Sequence, residues 1–239
     1  MNSQSTKVDE LLAEGRAITN RLLNEVNDAT RTWCIVEAFN GRDEVHRVQQ
    51  HRTITQLGLG STAGALIKGL SRDTLASLLR ITDPSGEKGQ RHTFCRIPDL
   101  LDNPDVLLAL EEESRNWEPN WGQDFQEQNV SLIRTNQKFV RELVPATWKG
   151  AILVDGRLEK HRKFFLPLRN SILAHSEDYR EVQQPSFTHV REFLKLVAEL
   201  QAACSFLFLG SSHDIQQRWD KILGEAHEFW DLFENPKTF

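Results

Sequence analysis

Residues 168–176 read Leu-Arg-Asn-Ser-Ile-Leu-Ala-His-Ser and bring an arginine, a carboxamide and a histidine close together in the chain. His175 can carry a proton near neutral pH, because an unperturbed imidazole titrates at about 6.5. Arg169 keeps its charge throughout and offers a forked pair of donors to an oxyanion. Asn170 adds an amide that can orient either the histidine or the bound group. The step of six residues from Arg169 to His175 puts them about 120° apart around a regular helix and about 9 Å along it. One straight helix does not converge them, so His175 is expected at a helix exit. Spacing alone carries little weight, since 19 Arg and 8 His in 239 residues give roughly two such pairs by chance. A histidine in a last helical turn also has a structural use, capping orphan carbonyls and complementing the negative end of the dipole. With Arg169 paired to Glu177 or Asp178, the stretch would belong to a noncatalytic helical module that binds RNA or protein.

The elements that must position these residues follow from apolar periodicity. Leu11, Leu12, Ile18, Leu22, Val26, Trp33, Val36 and Phe39 recur at helical spacing over residues 7–39, which predicts a long amphipathic helix. Asn40-Gly41 is a turn signal, and Asp43 can cap a second helix from Glu44. The glycine-rich residues 57–64 match neither phosphate-loop pattern. They suggest a bend, or close approach of a helix to a neighbour. Residues 74–81 continue helically, 83–90 form a loop ahead of a short turn at 97–101, and Asn103-Pro104 starts the next helix. Glu111, Glu112 and Glu113, with Asp99, Asp102 and Asp105, read as a solvated acidic face. Trp117 to Gly122 breaks the pattern and is the candidate boundary between an N-terminal part (1–116) and a motif-bearing bundle (122–239), within a single domain. Its tryptophans could stack bases, although packing is the commoner role. Residues 125–144 form a helix with Arg134, Lys138 and Arg141 as an exposed basic stripe.

Leu158 begins the helix that delivers the motif. Between Arg157 and His175 the cations Arg157, Lys160, Arg162, Lys163 and Arg169 face one acid, Glu159, so Lys160, Arg162 and Lys163 are candidate RNA-binding residues. Pro167 removes a helical hydrogen bond, so the helix is expected to restart or kink there. Residues 187–209 and a last helix from beyond Asp214 to about Phe233 complete the set. No segment shows sustained strand alternation. The expected fold is all-α, an up-and-down bundle with additional long N-terminal helices.

Composition bounds the partners. A net charge of −5 gives no global basic footprint, so any RNA site must be local. Cys34, Cys95 and Cys204 lie far apart in no ligand spacing, as expected of buried thiols in a reducing compartment. His46 and His51 diverge on a helix, and His227-Glu228-Phe229-Trp230-Asp231, although similar to a metalloprotease helix, lacks a third ligand, so no metal or other cofactor is expected. The polar N-terminus and the lack of a long apolar stretch imply a cytoplasmic protein without a membrane span.

The stretch Arg169-Asn170-Ser171-Ile172-Leu173-Ala174-His175-Ser176 resembles the signature of the HEPN superfamily, an arginine with a polar neighbour and a histidine after four to six residues. It is most similar to the abortive-infection, AbiU-like branch. Leu78-Leu79-Arg80-Ile81-Thr82-Asp83-Pro84 and Ile97-Pro98-Asp99-Leu100-Leu101 are similar to that branch as well. The resemblance implies an all-α domain and a metal-independent RNA endonuclease of an abortive-infection or toxin–antitoxin system used in phage defence. Arg169, Asn170 and His175 would be its catalytic residues. It further implies a homodimer that pairs two motifs, with an antitoxin or a nucleotidyltransferase as a further partner.

Overall fold

The computed structural model describes residues 3–40, 44–83, 93–117, 123–144, 157–173, 186–211 and 215–234, with side chains omitted near some segment ends, including from Leu168 to Leu173. In chain order the helices are α1 (Ser3–Phe39), α2 (Glu44–Gln56), α3 (Gly60–Ile81), α4 (Ile97–Leu101), α5 (Pro104–Arg115), α6 (Gln123–Leu143), α7 (Arg157–Leu173), α8 (Phe187–Leu209) and α9 (Ile215–Glu234), with a 3₁₀ turn at Phe94–Arg96. The fold is an all-α bundle, with no strand among the described residues. No described helix is long and apolar enough to cross a membrane.

α1 is the axis. Leu12, Ile18, Leu22, Val26, Ala29, Trp33 and Val36 are buried along it, and their steps of three, four or multiples of these make one continuous face. That face packs against α3, α8 and α9. Each fully buried Leu or Ile contributes about 1.5–3 kcal/mol, so the stripe supplies far more than helix propensity does. A single cluster of buried apolar side chains reaches from Leu12 in α1 to Trp230 in α9. Around this axis α6 lies on α5 and α8, α7 lies on α3 and α8, and α2 lies on α9 and α3.

The local signals act where residue chemistry demands it. Asn103 caps α5, its side chain accepting from the Asp105 amide at 3.0 Å, with Pro104 in the first helical turn. α8 begins with a reciprocal cap in which Ser186 accepts from the His189 amide and His189 Nδ1 accepts from the Ser186 amide, histidine standing where Glu or Gln is usual. It ends at Gly210, whose left-handed φ of 62° closes the last turn. A Cβ there would also lie 2.9 Å from the Trp117 indole. Trp117 packs edge-on against Phe206, a structural role rather than base stacking.

The glycine-rich stretch makes a bend. Gly58 has φ 71° between α2 and α3, whereas nothing lies within 4 Å of a Cβ at Gly64, so close helix approach is not its purpose. Pro167 lies inside α7, which runs as one helix from Arg157 to Leu173 instead of restarting there. Pro167 is exposed, and so is Lys163, whose carbonyl loses its usual donor, so water can substitute for the missing bond.

The acidic region is a solvated face only in part: Asp99, Asp102 and Glu112 are exposed, but its carboxylates are taken up in ion pairs. Glu111 is buried and binds Arg134 at 2.7 Å, Glu113 binds Arg16, Asp102 binds Arg141 and Asp99 binds Arg96. The same pairs neutralise the α6 basic stripe, with Lys138 near Glu142 at 3.8 Å. Acidic and basic segments that look like separate surfaces in the chain are therefore two sides of one belt.

Close packing at α1 gives a test by glycine substitution. A Cβ at Gly15 would sit 2.2 Å from the buried Phe208 ring, while nothing lies within 4 Å of one at Gly224 in α9. Alanine is favoured over glycine in a helix by about 1 kcal/mol, and overpacking costs about 1–3 kcal/mol or more. Gly224→Ala is expected to raise the midpoint of urea unfolding, and Gly15→Ala to lower it. A rise in both would show that Phe208 yields freely.

Candidate functional site

The motif helix is fixed by what surrounds it one to three turns before Arg169. On one side Phe193 of α8 stacks with both His161, at 5.7 Å and 7°, and Phe165, at 5.5 Å and 13°. His161 and Phe165 are one turn apart on α7, so a single ring holds two consecutive turns. Phe164 adds a contact with His189 at 4.7 Å. On the other side Arg162 binds Asp83, just beyond α3, at 3.0 Å and Glu159 at 3.3 Å. The helix is thus held to α8 by aromatic stacking and to the end of α3 by charge.

This arrangement divides the candidate RNA-binding residues. Arg162 has a side chain only 11% exposed and is committed to its carboxylates, with Glu159 at 5%. It acts as a fastener, not as a surface cation. Lys160 is exposed, and Lys163 is 60% exposed with a long contact of 3.7 Å to Glu159. Lys160 and Lys163 are therefore the candidates available to a polyanion. Sequence reading counted charges in one segment and missed Asp83, the long-range partner in a different segment.

The backbones of Arg169 and Asn170 lie in α7, one turn beyond the Phe165 clamp. Their side chains, and the whole of His175, lie outside the described residues. So do Glu177 and Asp178.

Other candidate chemistry has structural settings. Among the described residues no group of three or more His, Cys, Asp or Glu could hold a metal ion. His51 packs against Phe39 at 4.9 Å, and Trp230 is buried with its indole donating to the Ile35 carbonyl at 2.9 Å. Cys34, Cys95 and Cys204 are buried and unpaired with one another, and burial pushes the Cys34 thiol up to about 12, away from nucleophilic thiolate chemistry. No protein-family model, curated protein or solved structure matches this chain.

The buried and exposed cations of α7 make different predictions. Arg162→Ala leaves the buried Glu159 with only the long Lys163 contact and should cost about 2–4 kcal/mol, whereas Lys160→Ala with Lys163→Ala, which keeps the closer Arg162 pair, should cost less than about 1 kcal/mol. Chemical denaturation of the variants measures this, and equal losses would show that Arg162 is not the fastener.

His161 gives a pH test. Its pKa is lowered, chiefly by burial, with Lys160, His189 and Arg157 acting in the same direction and Glu192 opposing. The unfolded chain therefore binds a proton before the folded one does, and stability falls as pH drops from above the unfolded value of about 6.5 through the depressed folded value. His161→Phe, which keeps a ring against Phe193, is expected to flatten the decline in melting temperature below pH 7. An unchanged slope would assign the acid sensitivity to another group.

Proposed function

We propose that the protein is a metal-independent RNA endonuclease of the HEPN type, acting in an abortive-infection or toxin–antitoxin setting. The observation that carries this reading is the Arg169-Asn170…His175 constellation at the end of a segment, residues 157–175, with five Lys or Arg and one acid. Support comes from the all-α bundle and from α7, a continuous helix with an anchored first half and exposed Lys160 and Lys163. Rigid elements hold catalytic geometry better than free loops do.

RNA brings its own nucleophile, the ribose 2′-OH. In this mechanism His175 accepts the proton as the 2′ oxygen attacks the adjacent phosphorus, and the bond to the 5′ oxygen breaks. Arg169 holds a nonbridging phosphate oxygen through the charge that builds on the phosphorane. Asn170 orients the imidazole or the phosphate. The leaving 5′ oxygen needs a proton, and one histidine per motif is a thin supply. His175 of the partner subunit in a homodimer would provide it. The products are a 2′,3′-cyclic phosphate and a 5′-hydroxyl, and no step calls for a metal or other cofactor.

His175→Ala and Arg169→Ala should each lower RNA cleavage by about 10²–10⁴-fold. Helix content should stay unchanged. Gel assays of single-turnover cleavage in EDTA, with analysis of the terminal phosphate, measure both effects. Cleavage only on adding metal, or full activity in Arg169→Ala, would leave the noncatalytic interaction module as the better reading.

A further inference from the structure

Away from α7, two segments of opposite charge expose apolar side chains. Residues 45–72 contain no acidic residue, the longest such stretch of the chain, and carry Arg47, Arg52, Lys68 and Arg72. Residues 222–234 contain no Lys or Arg and carry Glu225, Glu228, Asp231 and Glu234. Seven of the ten exposed large apolar side chains among the described residues fall in these two segments: Val45, Val48, Leu57, Leu59 and Leu66 in the first, Phe229 and Leu232 in the second. Monomeric surfaces scatter such side chains singly, so their concentration marks a contact surface.

Helical spacing puts each set on one face. In α2 Gln50 and Ile54 are buried, and Val45, Val48 and Arg52, at i, i+3 and i+7, share the opposite face. In α9 Trp219, Ala226 and Trp230 are buried, while Glu225, Phe229 and Leu232, at i, i+4 and i+7, share an exposed face that Glu228 extends. α2 packs on α9, and rings in consecutive contact join the two patches. Exposed His51 meets Phe39 at 4.9 Å, Phe39 meets Trp230 at 4.9 Å, and Trp230 meets exposed Phe229 at 5.1 Å. The two charges do not satisfy each other within the subunit, since Arg52, Glu225 and Glu228 have no ion pair among the described residues.

We infer that α2 with the start of α3, and the C-terminal half of α9, form a self-complementary surface that docks a second copy of this chain. About a two-fold axis the basic patch of each copy covers the acidic patch of the other, so every contact is made twice. Apolar side chains fill the contact, and the charges among them set its orientation. An anionic membrane or RNA fits this surface less well, because the acidic patch beside the basic one repels either. The surface takes in the Gly60 end of α3, about 30 Å along that helix from the Arg162–Asp83 tie at its other end. It leaves α7 uncovered, and it is a separate contact from the pairing of two motifs in the proposed nuclease, on which it does not depend.

The test reverses one patch at a time in the full chain, by Arg47→Glu with Arg52→Glu or by Glu225→Lys with Glu228→Lys. These side chains are exposed, so both variants should keep the helix content of the parent. In sedimentation equilibrium at micromolar concentration and low salt the parent should associate, and each variant should associate with itself at least about tenfold more weakly. An equimolar mixture of the two variants should regain the average mass of the parent, because each reversed patch then meets its opposite. Raising the salt about tenfold should weaken the parent's association. A monomeric parent, variants that keep the parent's mass, as association through α7 alone would give, or a mixture no heavier than the separate variants would overturn the proposal. So would a monomeric parent that binds phosphatidylserine vesicles and loses them on Arg47→Glu with Arg52→Glu, which would assign the basic patch to a membrane.

Discussion

Burial of the apolar stripe of α1 is the constraint on which the remaining structure depends. Its inward residues contact α3, α8 and α9, so three segments distant in the chain share one hydrophobic partner. Removing that stripe would leave each of them with an apolar face and no cover, because none has another neighbour that buries as much. Gly15 shows how tight the contact is, since the Phe208 ring occupies the space of its missing side chain. Propensity works against glycine at that position and packing requires it, so packing decides the residue.

Charge has a second organising role. The pairs Arg16–Glu113, Arg96–Glu14, Arg80–Glu25, Arg134–Glu111 and Arg191–Glu37 tie different helices together. Most are partly exposed, so each contributes little to stability on its own. Their effect lies in specificity: they fix the rotation of each helix about its axis after apolar burial has brought the helices together. They also cancel local fields, which is why basic stripes in this chain do not translate directly into polyanion-binding surfaces.

For the motif helix, anchoring and chemistry occupy different turns. The His161–Phe193–Phe165 stack and the Arg162 pairs hold the first half of α7, leaving the turn with Arg169 and Asn170 beyond the clamps. A helix held in this way can present a reactive group in a fixed direction without using that group for its own stability. The same separation suits an interaction module, since a fold by itself does not define a reaction. What distinguishes the two is the ionisation and reach of His175, which are properties of a site and not of a bundle.

The sequence by itself determined the helical class, the long first helix, the Asn103-Pro104 start of α5 and the extent of α8, because these depend on residue periodicity and on capping within a few positions. It also marked Arg169, Asn170 and His175, because residue type and short spacing are visible in one stretch. Only the tertiary structure decided that Arg162 faces Asp83 instead of solvent, that Glu111 is buried beneath Arg134, and that Gly15 is required by Phe208. It likewise carried α7 through Pro167 as one helix and brought Arg218 and Gln201 to one cavity. These outcomes depend on which helix faces meet, and that is set by summed burial over the whole chain, with partners far apart in sequence. No local window contains that sum.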